Sequence, residues 1–466
     1  MARGKKAVKE LTPEEKLQQA LVPVEEQPYP IPENWCWVRL SSLSVVISKG
    51  TTPVGGKNAY VDEGINFLRV ENINEDGNIS HDGIAHITES LHTGCLKRSI
   101  LLERDILISI AGTLGKTGIV RKIDLPLNTN QAIAFVRLSF HEINELYIKN
   151  AIDCPMLQKY LLDKTKVTSI PNLTLEIVGN CPIPFPPLPE QHRIVSRIES
   201  LFAKLGEAKE KAQAVVDGFE LRKSAILHKA FTGELTERWR KEHGVGLESW
   251  KRCTVGSVCN DVKVGIVIKP SQYYTDKNEG TPAFRSANVR EYRIDDFDWV
   301  YLNEDGMVNN KRSIVHTGDV LVVRSGNPGT ACVVSEKFDG YNAIDILIAV
   351  PNQELILPNY LCLFTNSPLG KQSVTEGKRG MALVHFNVKG YSKVQLNVPP
   401  ISEQEKIIHT LNEFLGKEQQ AKEAAEAVLS QIDTMKKAIL ARAFRGELGT
   451  NDPAEESAAE LIKTVL

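Results

Sequence analysis

The chain has 466 residues, 42% hydrophobic and 24% charged, an ordinary globular composition with length for roughly two to four domains. Its 56 Lys and Arg against 58 Asp and Glu leave a net charge of −2, so no global basic field advertises nucleic acid, although local basic faces stay open. The eight cysteines form no Cys-x-x-Cys or zinc spacing, and His81, His86 and His92 are irregularly spaced, so no metal site is expected and the thiols suit a reducing compartment.

The segment Met1-Ala-Arg-Gly-Lys-Lys6 is charged and leads into no apolar core, and no run approaches the roughly eighteen apolar residues of a membrane helix. A cytoplasmic protein is expected. Residues 1–34 read as a leader in which Thr12-Pro13-Glu14-Glu15 caps a helix to about Leu21, followed by a linker through Pro23, Pro28, Pro30 and Pro32.

Residues 35–187 switch to short β-rich runs: Ile65–Val70, Asp105–Ile110, Gly118–Arg121 and Ala132–Arg137. Gly, Asn and Pro punctuate them, and a helical segment from Glu145 to Lys164 precedes a Pro-rich exit at Pro182 to Pro189. This is a compact α+β globule.

From 188 to 233 the apolar positions step by four and three: Ile194, Ile198, Leu201, Leu205, Ala208, Ala212, Val215, Phe219 and, after a lapse at Arg222, Ile226. At roughly 1.5 Å per residue, a helix of about forty residues spans about 60 Å. Gly233 stands where a C-terminal cap is wanted. A linker, residues 234–249, follows.

The same order then returns. Residues 250–400 repeat the globule: Trp35, Leu40 and Leu43 answer Trp250, Val255 and Val258, and Arg69 and Asn72 answer Arg285 and Asn288. Asp105, Gly112 and Gly115 answer Asp319, Gly326 and Gly329, while Tyr147 and Pro155 answer Tyr360 and Pro368. Residues 401–446 repeat the helix more closely, with Glu190, Ile194, Phe231 and Gly233 recurring 213 residues later as Glu403, Ile407, Phe444 and Gly446. The second seam reads Ile407, Leu411, Phe414, a lapse at Glu418, then Ala421, Ala425, Val428, Ile432, Met435 and Ile439, behind a capping box of Ser402 and Glu405. A single helix cannot bury such a stripe, so each copy is expected to pair with the other; the matched alanines at mid-length fit either orientation. In the tail, residues 447–466, Asp452-Pro453-Ala454-Glu455 is expected to open a helix through Leu461. The small helices at the two ends either dock a partner or close the fold.

Chemistry is sparse. The chain has no Gly-x-Gly-x-x-Gly, no Gly-x4-Gly-Lys-Ser/Thr and no nucleophile elbow, and Gly50-Thr-Thr-Pro-Val-Gly-Gly56 lacks phosphate-loop spacing. No Asn/Asp-Pro-Pro-Tyr/Phe motif is present, and Glu207-Ala-Lys209 falls on a solvated helix face. The chain reads as non-catalytic. What the globules do offer is Arg, Lys, Asn and Gln in Gly-flanked loops, the residue types that meet phosphates and the edges of guanine and adenine. In the first these are Lys49, Arg69, Asn72, Lys116, Asn128, Asn130 and Gln131. In the second they are Lys269, Arg285, Asn288, Arg290, Arg324, Asn327, Lys378 and Arg379. Asn72 and Asn288 also suit the stabilisation of a turn. The loops differ while the frame repeats, as in two related but non-identical binding surfaces.

The stretch Leu188-Pro-Glu-Gln-His-Arg-Ile194 through Ala225-Ile-Leu-His-Lys-Ala-Phe-Thr-Gly-Glu-Leu235 recurs as Ser402-Glu-Gln-Glu-Lys-Ile407 through Ala438-Ile-Leu-Ala-Arg-Ala-Phe-Arg-Gly-Glu-Leu448. It resembles the paired conserved regions of type I restriction–modification specificity subunits, and the likeness of layout covers essentially the whole chain. The resemblance implies that each globule is a target recognition domain reading one half of a split, asymmetric DNA sequence. It implies that the helices form an antiparallel coiled coil, a ruler setting the gap between half-sites, where roughly 34 Å is one helical turn. It further implies docking of two methyltransferase subunits, which use S-adenosylmethionine to methylate adenine, and of two motor–nuclease subunits that require ATP and Mg. No cofactor is implied in this subunit itself. Two other readings stay open: the specificity subunit of a type IIB-like enzyme, with cleavage in the methyltransferase partner, and a two-headed scaffold binding protein or RNA.

Overall fold

Short apolar runs become strands and the two four-three patterns become long helices. The structure, a computed structural model, describes residues 12–165, 172–376 and 387–465. The chain divides into two units, one of residues 1–210 with 428–466 and the other of residues 211–427. Each unit therefore contains one globule, the start of the long helix that follows it, and the end of the other long helix.

In the first unit β1 (Cys36–Arg39) pairs antiparallel with β10 (Pro182–Phe185), closing the globule where it enters and leaves. One sheet has the order β2-β9-β6-β7, from Ser44–Lys49 (β2), Ile106–Ser109 (β6), Thr117–Ile119 (β7) and Ile133–Leu138 (β9). A second sheet has the order β4-β3-β8-β5, from Ile65–Leu68 (β3), Ala85–Ile87 (β4), Ile100–Leu101 (β5) and Leu127–Thr129 (β8). The helical segment expected from 145 to 164 is two helices, Glu145–Asp153 and Pro155–Asp163. Pro155 forces Cys154 out of the helical region (φ −56°, ψ 134°), which splits them.

The second unit rebuilds this plan. Strand β11 (Lys251–Thr254) pairs with β22 (Gln395–Val398). The sheet β12-β21-β18-β19 uses Cys259–Val264 (β12), Val320–Val323 (β18), Ala331–Val333 (β19) and Ile346–Pro351 (β21). The sheet β13-β17-β14-β20 uses Tyr274–Thr275 (β13), Thr281–Phe284 (β14), Val300–Leu302 (β17) and Asn342–Ala343 (β20). A small hairpin, β15 (Val289–Arg290) with β16 (Arg293–Ile294), is added. In both units one strand pair of the second sheet is parallel, β3 with β8 and β14 with β20.

Thr12 caps the leader helix Pro13–Ala20 as its sequence predicts, accepting from Glu15 N at 3.2 Å while Glu15 Oε2 accepts from Thr12 N. The tail departs from expectation. Asp452 makes a turn, its Oδ1 accepting from Ala454 N at 3.0 Å, and the helix begins only at Ala458 and runs to Val465. Glu455 is diverted into a two-pronged ion pair with Arg193, both contacts 2.8 Å. Leu17 and Ala20 of the leader share a core with Ala458 and Ile462 of the tail, so both end helices close the first unit.

The first long helix runs Leu188–Asp217 and Phe219–Thr232, interrupted at Gly218. There Arg222 folds back, its Nη2 donating to Val215 O at 2.8 Å, and a Cβ on residue 218 would stand 2.3 Å from the guanidinium. Gly233 closes the helix at φ 89°. The second long helix, Ile401–Ala443, is unbroken. It starts one residue before the expected Ser402 cap, because Pro400 O already accepts from Glu403 N and Gln404 N, at 2.9 and 3.0 Å.

The helices meet antiparallel within each unit. In the second unit Arg222 pairs with Glu418 at 2.7 Å, and Lys422 lies 4.8 Å from the centroid of Phe219. In the first unit Lys436 lies 5.6 Å from the centroid of Phe202, and Phe444 joins Ile194 and Ile198 in the core. Along the first helix Ile194, Ile198, Ala212 and Phe219 are buried, and Leu201, Leu205, Ala208, Val215 and Ile226 are half-buried. On the second helix Ile407, Leu411, Ala425 and Ile432 are buried and Ile439 is half-buried, but Phe414, Ala421, Val428 and Met435 are exposed. The contact face has moved by one residue at every second step, to Leu415, Lys422, Leu429 and Lys436. At one of these places the long stem of Lys422, lying over the Phe219 ring, buries more carbon than Ala421 could.

Candidate nucleic-acid interface

The Pro-Glu-Gln and Ser-Glu-Gln motifs that open the long helices hold the globules rather than a ligand. Glu190 and Glu403 are fully buried and accept from the indoles of Trp35 and Trp250 at 2.8 and 2.9 Å. Gln191 Nε2 donates to Pro186 O at 3.1 Å and Gln404 Nε2 to Pro399 O at 2.9 Å, fixing the Pro-rich exits. At the helix ends Phe444 packs edge-on against Tyr147 (5.2 Å) and Phe231 against Tyr360 (5.4 Å). Each globule thus sits on chemistry of both helices that recurs in the two repeats.

On that base the backbone gathers the candidate loops. In the first globule Gly50 N donates to Ile133 O (3.0 Å), Thr51 N to Thr129 O (3.0 Å) and Ile110 N to Ala132 O (2.8 Å). These bonds set side by side the loops that carry Lys49, Lys116, Asn130 and Gln131, with Arg69 on the loop after β3. Only glycine fits at 50, since a Cβ would stand 2.1 Å from Asn130 O. The second globule repeats the frame: Gly265 N to Ile346 O, Ile266 N to Ala343 O and Ile344 N to Phe284 O, each 2.8 Å.

The side chains on this frame differ. In the first globule Lys49 is exposed and Lys116 half-buried, Arg69 lies 4.8 Å from the centroid of Tyr60, and Gln131 accepts from the Thr52 hydroxyl. Asn130 Oδ1 accepts from Ala132 N at 3.1 Å. In the second, Lys269 is exposed at φ 41°, Asn327 is exposed, and three arginines are paired with acids. Arg285 meets Asp298 at 2.8 Å, Arg290 meets Asp295 at 2.9 Å and Arg324 meets Asp345 at 2.7 Å. The Nε atoms of Arg285 and Arg324 are buried with no hydrogen-bond partner among the described residues. Lys378 and Arg379 lie outside the described residues.

Asn72 and Asn288 sit as turn residues. Both are buried, and their Oδ1 atoms accept from Arg69 N (3.1 Å) and Arg285 N (2.9 Å). Asn128 is likewise enclosed, donating to Leu96 O at 3.2 Å. The cations and amides are visible in the sequence, whereas the carboxylates beside them are not. Asp298 and Asp345 stand 13 and 21 residues from their arginines, and no local pattern announces such pairs. Among the described residues no three His, Cys, Asp or Glu side chains come together to hold a metal ion, and no helix is long and apolar enough to cross a membrane.

The family model for the type I restriction modification DNA specificity domain matches residues 32–215 and again 248–427. The EcoBI type I restriction enzyme specificity subunit of Escherichia coli is 30% identical over 213 residues, 46% of this chain and 44% of that one. The EcoKI specificity subunit of Escherichia coli K12 is 26% identical over 305 residues, 61% and 63% of the two chains. The chain thus spans about half to two thirds of the length of these relatives. An HsdS subunit crystal structure from Thermoanaerobacter tengcongensis superposes with a TM-score of 0.66 at 19% identity, over 91% of this chain and 100% of that one, so the fold is shared.

Proposed function

The chain belongs to the family of type I restriction modification DNA specificity domains, and from that premise we propose that it is the sequence-reading subunit of a type I restriction–modification complex. Each globule reads one half of a bipartite double-stranded DNA target. The paired helices set the gap between the halves.

One observation carries this reading: a single backbone frame, built twice, presents different chemistry at matched places. Gln131 and Asp345 both follow the residue held by the strand-end carbonyl of Leu68 or Phe284, and Ile110 stands where the second globule has Arg324. Two surfaces that differ only in their loops suit two different half-sites. The arginine–aspartate pairs leave each guanidinium oriented, so that guanine or phosphate can replace the carboxylate as acceptor.

The subunit supplies no catalytic group. Adenine methylation with S-adenosylmethionine, and ATP- and Mg-dependent cleavage, belong to two methyltransferase and two motor–nuclease partners in the cytoplasm. Phe414 and Ala421 are exposed apolar positions on the second helix and suit a methyltransferase helix. Co-expression with a cognate methyltransferase subunit tests the reading. A complex that protects and methylates DNA at defined sites supports it; an intact complex with no DNA-dependent behaviour overturns it.

A further inference from the structure

Hairpin β15–β16 follows directly on Arg285 and Asn288, and its turn is Glu291-Tyr292, between the paired residues Arg290 and Arg293. Tyr292 has φ 65°, a left-handed conformation that is uncommon for a side-chain-bearing residue and persists only where surroundings impose it. Tyr292 N donates to Ala331 O at 3.0 Å, its ring packs against the core of the second unit, and two lysines grip the neighbouring Glu291. Lys223 Nζ donates to Glu291 Oε2 at 2.6 Å, and Lys371 donates to the other carboxylate oxygen. Lys223 belongs to the long helix Phe219–Thr232, and its Nζ also lies 5.5 Å from the centroid of Tyr292. Lys371 belongs to the globule's own helix Pro368–Glu376. Burial pushes the Glu291 carboxyl up, but the two ammonium groups outweigh it and hold it below the usual carboxylate value.

The other repeat has the parts without the assembly. Glu75 stands as far past Asn72 as Glu291 past Asn288, and Lys436 is 213 residues past Lys223. Yet Glu75 is exposed and makes no ion pair among the described residues, while Lys436 covers Phe202. At the place of Lys371 stands Gln158, whose Nε2 donates to Gly115 O at 2.9 Å. The turn there is wider, closed by Asn74 N to Asn78 O at 2.8 Å with Gly77 at φ 82°. Its outside support is Lys149, 3.5 Å from Asp76 O, on the globule's own helix Glu145–Asp153.

We infer that Glu291 is a positioning residue: through Lys223 it straps the reading hairpin of the second globule to the long helix and thereby fixes where the second half-site must lie. The first globule lacks this strap among the described residues, so the two readers differ in how tightly they are registered on the helices. The inference rests on the DNA-reading function proposed above, and concerns the gap rather than the bases.

The test uses the complete methyltransferase complex with Glu291→Gln or Lys223→Met, on duplexes whose gap is native or one base pair longer or shorter. In both variants, methylation at the altered gaps is expected to rise several-fold relative to the native gap, with the bases of both halves unchanged. Lys223→Arg, which keeps the pair, is expected to keep the native preference. A gap preference unmoved in Glu291→Gln, or a loss equal at every gap, overturns the inference. A native complex indifferent to gap length overturns the underlying reading instead.

Discussion

Trp35 and Glu190 are 155 residues apart and share a 2.8 Å hydrogen bond from indole Nε1 to Oε2; Trp250 and Glu403 repeat it at 2.9 Å. The environments of the two carboxylates differ. Glu403 also accepts from Thr236 (2.7 Å) and forms a buried ion pair with Arg240 at 2.6 Å. Glu190 has the Thr450 hydroxyl at 3.3 Å as a second hydrogen-bond partner, and burial raises its carboxyl above the usual value despite the nearby Arg193 charge.

This difference predicts unequal mutants. Glu403→Gln strands the Arg240 guanidinium without a counter-charge and is expected to cost about 3–5 kcal/mol in denaturant unfolding. Glu190→Gln keeps a carbonyl for the Trp35 indole and is expected to cost about 1 kcal/mol. Equal losses would contradict the asymmetry.

The pH dependence follows from the sign of the Glu190 shift. A carboxyl raised on folding contributes stability that is complete below its unfolded value and is lost as pH rises through its folded value. The melting temperature of Glu190→Gln should therefore lie further below that of the native chain at acidic pH than at neutral pH. A gap that widens as pH rises would reverse this account.

The helix contact face gives a paired prediction. Leu411 is fully buried and Phe414 is 40% exposed. Leu411→Ala is expected to cost about 2–5 kcal/mol, whereas Phe414→Ala should stay within about 1 kcal/mol in stability and weaken methyltransferase capture. Similar unfolding costs for both would restore the simple heptad seam.

In the second reader, Arg324→Ala should lose about 1–3 kcal/mol of discrimination at a single base position of one half-site. Asn288→Ala should instead lower stability, by about 1–3 kcal/mol, by stranding Arg285 N and the carbonyls of Asp295 and Phe297. Its target sequence should not change. Methylation profiles of the two variants, compared with their melting temperatures, separate the roles.

Local chemistry was legible where it decides structure by itself. The Thr12 cap, the Gly233 terminator and the 213-residue repeat could be read because each depends on near neighbours or on self-similarity. The seam of the second helix could not, because Ala421 and Lys422 are both compatible with a helix face and only Phe219, on the other helix, selects the lysine. The tail helix was displaced for the same kind of reason: Glu455, a good first-turn residue by sequence, is claimed by Arg193 from 262 residues away. In the candidate interface the cations were visible and their aspartate partners were not, since Asp298 and Asp345 reach them only through the folded loops.

Adenine-methylation mapping by long-read sequencing, in cells carrying this gene and its cognate methyltransferase gene, tests the central claim most directly. Two readers on paired helices predict a split motif, two short specific halves around a gap of fixed length. A single continuous motif would contradict it.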